Sequence, residues 1–271
     1  MRIINHNRIS LTAYYTSYVY SRSSGNTAIY KTFRGAVLYY ILMIPNLISL
    51  LILKTNLNRL LSASHRLILE ECIKTIEVNN IKQIIEIGSG FSDFSIILKD
   101  KFSEIKYIEI DLENVLKAKQ KLNPVKDITY SSINIFSDSA SNDLNKIIDV
   151  SLSTLIIAEG FINYFSSVEV KIFLSNIDSI LNQNNKNILV LDSLMQSNDE
   201  PSTLVKTFKS ILSKCVNTNV YFHFKEGTNK KVVLDDELNL QVESSNLIDD
   251  KIKQVKSWRV LNIMSYKFGK D

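Results

Sequence analysis

From about residue 81 onward, short apolar runs alternate with amphipathic segments in the rhythm of a βα repeat. The predicted strands are Gln83 to Ile87, Tyr107 to Ile110, Thr129 to Ile135, Thr154 to Ala158 and Ile188 to Leu191. Between them lie predicted helices near Phe94 to Lys101, Glu113 to Leu122, Asn142 to Ile148 and Val168 to Leu181. Runs such as LIIA and ILVL are apolar throughout, as strands are when helices cover both faces of a parallel sheet. The pattern is that of a doubly wound α/β core. After Pro201 it changes to a helix near Ser202 to Ser213 and to the segments Val220 to Phe224, Asn239 to Glu243 and Trp258 to Lys267. The last two alternate polar and apolar residues, which suits antiparallel strands at a sheet edge.

Before residue 81 the chain is helical in character. Leu69, Ile73 and Ile76 share a helix face, with Ser62 or Ser64 as N-cap. Residues 1–80 are thus expected to be a helical N-terminal cap, integral to the domain, on a core spanning residues 81–271. Within the cap, Gly35 to Leu53 (GAVLYYILMIPNLISLLIL) is a run of 19 residues without charge, close to a bilayer-spanning length and flanked by Lys31, Arg34 and Lys54. Pro45-Asn46 interrupts it, and proline disfavours a continuous helix there. The favoured expectation is two short lid helices over a pocket, ahead of a peripheral membrane-facing surface and well ahead of a true span. The start, MRIINHNRIS, has no apolar h-region, so no secretory leader is expected; the reading is a cytoplasmic protein, membrane-peripheral if residues 35–53 face a bilayer.

Composition narrows the class. With 271 residues, 45% apolar, 22% charged and three prolines, the chain can bury one large core and is not of the disordered type. Two cysteines and three histidines provide neither a disulfide framework nor an evident metal-ligand cluster, so a reduced, metal-free interior is expected. The net charge of +4 hides an asymmetry. Arg2, Arg8, Arg22, Lys31, Arg34, Lys54, Arg59 and Arg66 all precede the first acid, Glu70, which leaves a net −4 for the rest. Such a segment attracts anions: a carboxylate substrate, lipid head groups or nucleic acid. No repeat or binding-module signature supports nucleic acid, which is not expected as a partner.

The candidate chemistry begins at IIEIGSG, residues 84–90: a buried strand, an acid, then Gly88 and Gly90 before a helix. Glycines there allow a tight turn and a close ligand approach to backbone. The dinucleotide fingerprint would place its third glycine where this chain has Asp93, and an acid there disfavours NAD or FAD. Asp111 ends the next strand in YIEID, where a carboxylate can accept from both ribose hydroxyls; Glu109 is the understudy. Glu159 follows the buried run LIIA and precedes Gly160, so it needs solvent or a cationic partner, which a ligand ammonium would provide.

These residues belong to five motifs in order: ISLTAYYTSYVYSR at 9–22, SHRLILEE at 64–71, EIGSGFS at 86–92, YIEIDL at 107–112 and AEGFINYF at 158–165. In order and spacing the chain resembles the leucine carboxyl methyltransferase family, specifically its bacterial polyketide-type O-methyltransferase branch. The resemblance implies a class I, Rossmann-like fold: a mostly parallel seven-stranded sheet with an N-terminal helical cap, binding S-adenosylmethionine. It implies that Arg66 binds the methionine carboxylate, that Glu86, Gly88 and Gly90 face the cofactor, that Asp111 holds the ribose and that Glu159 takes the α-ammonium. Where related members commonly carry an acid beside the adenine, this chain has Asn134 and Ile135, with Asp138 as fallback.

Methyl transfer from a sulfonium is an in-line displacement that positioning alone can largely promote. A carboxylate acceptor needs no base, a phenol benefits from one, and no convincing base stands out: His65 reads as structural and His223 sits in an alternating strand. Tyr15 and Tyr18, with Asn163 and Tyr164 beyond Glu159, are the acceptor-pocket candidates. The expected activity is O-methylation of a carboxylate or acidic hydroxyl on a small, apolar molecule. Methylation of a protein's C-terminal carboxylate and a non-catalytic, cofactor-binding or membrane-peripheral scaffold remain as alternatives. All of this requires Arg66 and Glu159 to face one cavity and the space beside Gly88 to be clear of bulky side chains.

Overall fold

Strands without a polar face need cover on both sides. In the computed structural model, which describes residues 6–23, 31–44, 46, 47, 57–181, 187–196, 221, 224, 225, 240–245 and 261–268, helices provide it. Five parallel strands, β1 (Gln83–Ile87), β2 (Lys106–Ile110), β3 (Ile128–Ser131), β4 (Thr154–Ala158) and β5 (Ile188–Gln196), run in the order β3-β2-β1-β4-β5. The two-residue β6 (Phe224–Lys225) pairs with the end of β5. Beyond β5 the direction reverses: β8 (Leu261–Phe268) lies antiparallel to β5, and β7 (Leu240–Ser245) antiparallel to β8.

Side chains alternate between two cores along each strand. Ile85, Ile108, Ile156 and Leu189 face Phe173, Leu174 and Ile177 of α7 (Ser167–Leu181) and Leu144 of α6 (Ala140–Asn145). Their neighbours Ile84, Tyr107, Leu155, Ile157 and Val190 face Phe94 and Leu98 of α4 (Phe94–Lys101) and Leu67, Ile68, Cys72 and Ile76 of α3 (Leu57–Asn79). Each such side chain contributes about 1.5–3 kcal/mol by leaving water, which is why the central strands are mostly apolar on both faces, with Glu86 of β1 and Glu109 of β2 as buried exceptions. The remaining core helix, α5 (Glu113–Leu122), turns Val115, Leu116 and Lys119 inward.

Before α3 stand α1 (His6–Ser23) and α2 (Phe33–Ile41), packed on each other where Gly35 leaves no room for a Cβ against the Tyr14 carbonyl. Leu38, Tyr39 and Leu42 pack on Tyr15, Val19 and Tyr20. Helical bonds from Leu42 N to Leu38 O and from Asn46 N to Leu42 O carry the winding past the end of α2.

Several sequence expectations shift. The α3 helix starts at Leu57, so Ser62 and Ser64 are interior rather than N-caps. Its buried face is Leu67, Ile68, Cys72 and Ile76, with Leu69 and Ile73 at the margin. The third strand ends at Ser131, four residues short of Ile135, because the chain leaves the sheet edge there. The predicted helix Ser202 to Ser213 and His223 lie outside the described residues.

Candidate functional site

Chain order reverses between β1 and β4, since β2 and β3 lie to one side of β1 and β4 to the other. Loops at the carboxyl ends of strands diverge at such a switch point and leave a crevice. Here it is a cavity of about 400 Å³, within the range of small-molecule sites. Glu86 and Gly88 to Ser92 after β1, Asp111 after β2, Ser132 to Phe136 after β3, Glu159 to Phe161 after β4 and Asp192 on β5 line it. Helix α1 closes one wall with Thr12, Ala13, Thr16 and Tyr20, and α3 adds Leu61 and Ser64.

The glycine turn is held by its backbone. Gly88 and Gly90 have φ of 67° and 48°, a region L side chains rarely occupy. The Gly88 N–H donates to the Ile110 carbonyl at 2.8 Å, tying the turn to β2. Asp111 closes the other side: one carboxylate oxygen accepts from Gly90 N and the other from Leu112 N, each at 2.6 Å. Burial raises the Asp111 pKa, and these two N–H donors oppose the rise.

At the far end, Glu159 is held by a buried histidine. His65 Nδ1 lies 2.9 Å from Glu159 Oε2 and its Nε2 2.8 Å from Asp93 Oδ1. Carboxylates only accept, so both ring nitrogens donate and the ring is an imidazolium. Burial opposes that charge, but Glu159 and Asp93 outweigh it and push the His65 pKa up to about 10. The ring is stacked between Tyr20, 3.9 Å between centroids, and Phe94, 4.4 Å. The Tyr20 hydroxyl donates to Glu159 at 3.0 Å. Asp93, the residue that spoils the dinucleotide fingerprint, thus fixes the group that orients Glu159.

Beside Glu159 stands Asp192, whose two oxygens accept from Gly160 N at 2.5 Å and from the Ser64 hydroxyl at 3.2 Å. Burial, reinforced by Glu159, pushes its pKa up to about 7. Glu86 is also pushed up to about 7 by burial, with Lys119 opposing; the Tyr107 hydroxyl donates to it at 2.7 Å.

Of the residues singled out from sequence, Glu86, Gly88, Gly90, Asp111, Asn134, Ile135, Glu159 and Tyr164 line the one cavity. Others do not. Arg66 sits on the outward side of α3, its side chain 55% exposed and 3.7 Å from Glu70, because one residue beyond the inward His65 the helix has turned about 100°. Tyr15 faces α2 and α3, bonded to Asn46 and Asn58, and Tyr18 packs on Tyr39. Asn163 is buried, its backbone carbonyl accepting from Tyr221 N. Asp138 is exposed and off the cavity. The space beside Gly88 is not clear either: a Cβ on Gly88 would stand 2.5 Å from the Phe161 ring. Both conditions attached to the sequence reading therefore fail as stated.

The residues that reading missed are Asp192, His65 as the orienting cation, and the Thr12, Thr16, Tyr20 stripe. Asp192 carried the same signal as Glu159, an acid directly after a wholly apolar run (ILVLD). The stripe carried the i, i+4, i+8 spacing of one helix face. Among the described residues no group of His, Cys, Asp and Glu is arranged to hold a metal ion.

No protein-family model and no curated protein sequence matches the chain. Solved structures resemble it in fold. A candidate methyltransferase from Thermobifida fusca YX aligns over 95% of this chain and 94% of its own, at 11% identity and TM-score 0.66. The mitomycin 7-O-methyltransferase MmcR aligns over 97% and 67%, at 11% identity and TM-score 0.53. Human N-acetylserotonin methyltransferase, solved with S-adenosylmethionine, aligns over 99% and 68%, at 13% identity and TM-score 0.51. The chain spans 43% of the length of the LepI structures it also aligns with. At these identities the likeness concerns architecture: the chain has the α/β fold with a parallel sheet that these methyltransferases share.

Proposed function

We propose that this chain is an S-adenosylmethionine-dependent O-methyltransferase that acts on a carboxylate or acidic hydroxyl of a small, apolar molecule. We place it with the leucine carboxyl methyltransferase family on its five ordered motifs, with residues 1–80 as a cap integral to the domain.

What carries this reading is the charge of the lining. Glu86, Asp111, Glu113, Glu159 and Asp192 line the cavity, and no described lining residue is a lysine or arginine. Among the described residues the cations near this lining stand outside it and are already paired: His65 is shared by Glu159 and Asp93, Lys117 meets Glu113 and Lys119 meets Glu109. Such a site repels the pyrophosphate of a dinucleotide and favours a ligand of net positive charge. S-adenosylmethionine, with a sulfonium, an ammonium and one carboxylate, is such a ligand, and it is the bound cofactor of the N-acetylserotonin enzyme that shares the fold.

The residues fit it with two revisions. Asp111 would hold the ribose, Asn134 and Ile135 would lie by the adenine, and Glu159 with Asp192 would receive the ammonium. The carboxylate would be met by the hydroxyls of Thr12 and Thr16 in place of Arg66, that of Thr16 turning from the Thr12 carbonyl to do so. Phe161 would rotate away from Gly88, its partly buried ring being packed on Phe136, Phe165 and Phe173. The cofactor supplies an electrophilic methyl group. The chain's own part is to align the acceptor and to keep water out with Phe161, Tyr164 and Phe165.

The direct test is thermal stabilisation. S-adenosylhomocysteine at about 100 times its Kd is expected to add about 2.7 kcal/mol to stability, and NAD none. Stabilisation by NAD alone overturns the reading. A pH series tests the ammonium site. Asp192 is ionised above about pH 7 and protonated below it, so affinity for S-adenosylhomocysteine is expected to rise about tenfold from pH 6 to pH 8. Titration calorimetry on wild type and Asp192→Asn decides this: the slope disappears in the variant, and a slope that survives there excludes Asp192.

For the described part of this run, residues 35–44, 46 and 47, we favour an outward-facing surface over a lid. No described residue of α2, nor any of the described residues 42–44, 46 and 47 beyond it, lines the cavity, and the helix lies on α1 with its far side in solvent.

A further inference from the structure

Helix α2 and its continuation are apolar on both sides. The inner side, Gly35, Leu38, Tyr39 and Leu42, packs on α1. On the opposite side Phe33, Val37, Tyr40, Ile41, Ile44 and Leu47 recur at the spacing of a single helical stripe, and all six are exposed, Phe33 at 84% and Ile44 at 65%. A helix that is apolar all round is ordinarily covered.

Charge identifies the cover. Lys31, Arg34 and Arg22 are exposed around this pair of helices. Each lies over an aromatic ring: Lys31 is 5.8 Å from the centroid of Tyr18, Arg34 5.7 Å from Tyr14 and Arg22 5.4 Å from Tyr39. Exposed cationic heads held over ring faces give the apolar pair of helices a positive rim where it meets water. No acid stands anywhere before Glu70. A second copy seated on the stripe would bring two such acid-free surfaces face to face, which like-charge repulsion disfavours. An anionic surface meets no such penalty. No described helix is long and apolar enough to cross a membrane, and a helix with one exposed apolar stripe and a basic rim suits a position in the interface plane.

We propose that the stripe from Phe33 to Leu47, rimmed by Lys31 and Arg34, docks the protein peripherally on bilayers rich in anionic lipid. No stripe residue lines the cavity, so this holds or fails separately from the methyl-transfer reading.

The test is flotation of the full chain with vesicles of phosphatidylcholine alone or with about one third phosphatidylserine. Binding is expected only to the anionic vesicles and is weakened by high salt. Lys31→Gln with Arg34→Gln is expected to weaken partitioning about 25-fold, at about fivefold per charge. Phe33→Ser with Ile41→Ser and Ile44→Ser is expected to abolish it while stabilisation by S-adenosylhomocysteine is retained. Should that triple variant fail to fold, Phe33→Ser alone, at the most exposed position, is expected to weaken binding measurably. Equal binding to both vesicle types, no binding to either, or unchanged binding by the variants overturns the proposal. So does a concentration-dependent dimer in free protein that the serine variants dissociate. Hydroxyl-radical footprinting of the free monomer supplies the last check: Phe33 and Ile44 are expected to be reactive, and protection there would mean that the chain covers its own stripe.

Discussion

Lys119→Met is expected to destabilise the fold by about 3–5 kcal/mol, the largest effect of any single substitution argued for this protein. Lys119 projects from α5 into the sheet and meets Glu109 of β2 at 2.8 Å, with both side chains fully buried. The Ser89 hydroxyl, in the glycine turn, also donates to Glu109, at 3.3 Å. A methionine of similar length leaves little cavity, so the cost is electrostatic: a carboxylate stays buried without its cation. Lys119 also opposes the burial that pushes Glu86 up to about 7, so its loss raises Glu86 further. The sign with pH follows. A carboxyl whose folded pKa is raised costs stability above that pKa and recovers it when protonated, so the loss is expected to be larger at pH 8 than at pH 5. Urea melts of wild type, Lys119→Met, Glu109→Met and the double variant measure it. The double variant is expected to recover most of the loss, since an apolar pair replaces an ion pair at little net cost. A loss independent of pH, or a double variant as unstable as the sum of the singles, would assign the effect to packing instead.

This pair also shows what the sequence makes legible. The central strands are plain because both their faces are buried, so an apolar run needs no periodicity to be recognised. Lys119, in the run ENVLKAKQKL, has nothing to distinguish it from Lys117 and Lys121 except helical phase. Val115 and Leu116 set that phase, and position 119 follows them inward at i+3 and i+4.

The site was legible in the same uneven way. Residues expected at the carboxyl ends of strands, Gly88, Asp111 and Glu159, do line the cavity, because strand order and the glycine turn leave little freedom there. Those expected on α1 and α3 do not, because one position on a helix is a rotation of about 100°. Ser64 and His65 turn inward and Arg66 outward, so the charged member of SHR is not the one at the site. The same rotation separates Thr12, Thr16 and Tyr20, on the cavity wall, from Tyr15, which is turned toward Asn58 and Asn46. No composition signal marks Phe161, whose place over Gly88 depends on how the loop after β4 folds back across the turn after β1.

Asp111→Ala is expected to weaken binding of S-adenosylhomocysteine by at least about 100-fold and to remove its thermal stabilisation. A carboxylate that accepts from two ribose hydroxyls makes two charge-assisted hydrogen bonds, each contributing about 1.5–3 kcal/mol. The carboxylate is already aimed, since Gly90 N and Leu112 N hold one oxygen each and leave the second lone pair of both available toward the cavity. Those same bonds mean that alanine also loosens the glycine turn, so the variant alone does not distinguish lost ligand contact from lost turn geometry. Asp111→Asn separates the two. Its amide oxygen can keep one backbone donor, while its NH2 group can accept from neither a hydroxyl nor an N–H. The unliganded melt of Asp111→Asn is therefore expected to stay closer to wild type than that of Asp111→Ala, while its affinity still falls by about tenfold or more. If Asp111→Asn binds S-adenosylhomocysteine as tightly as wild type, the ribose is held elsewhere.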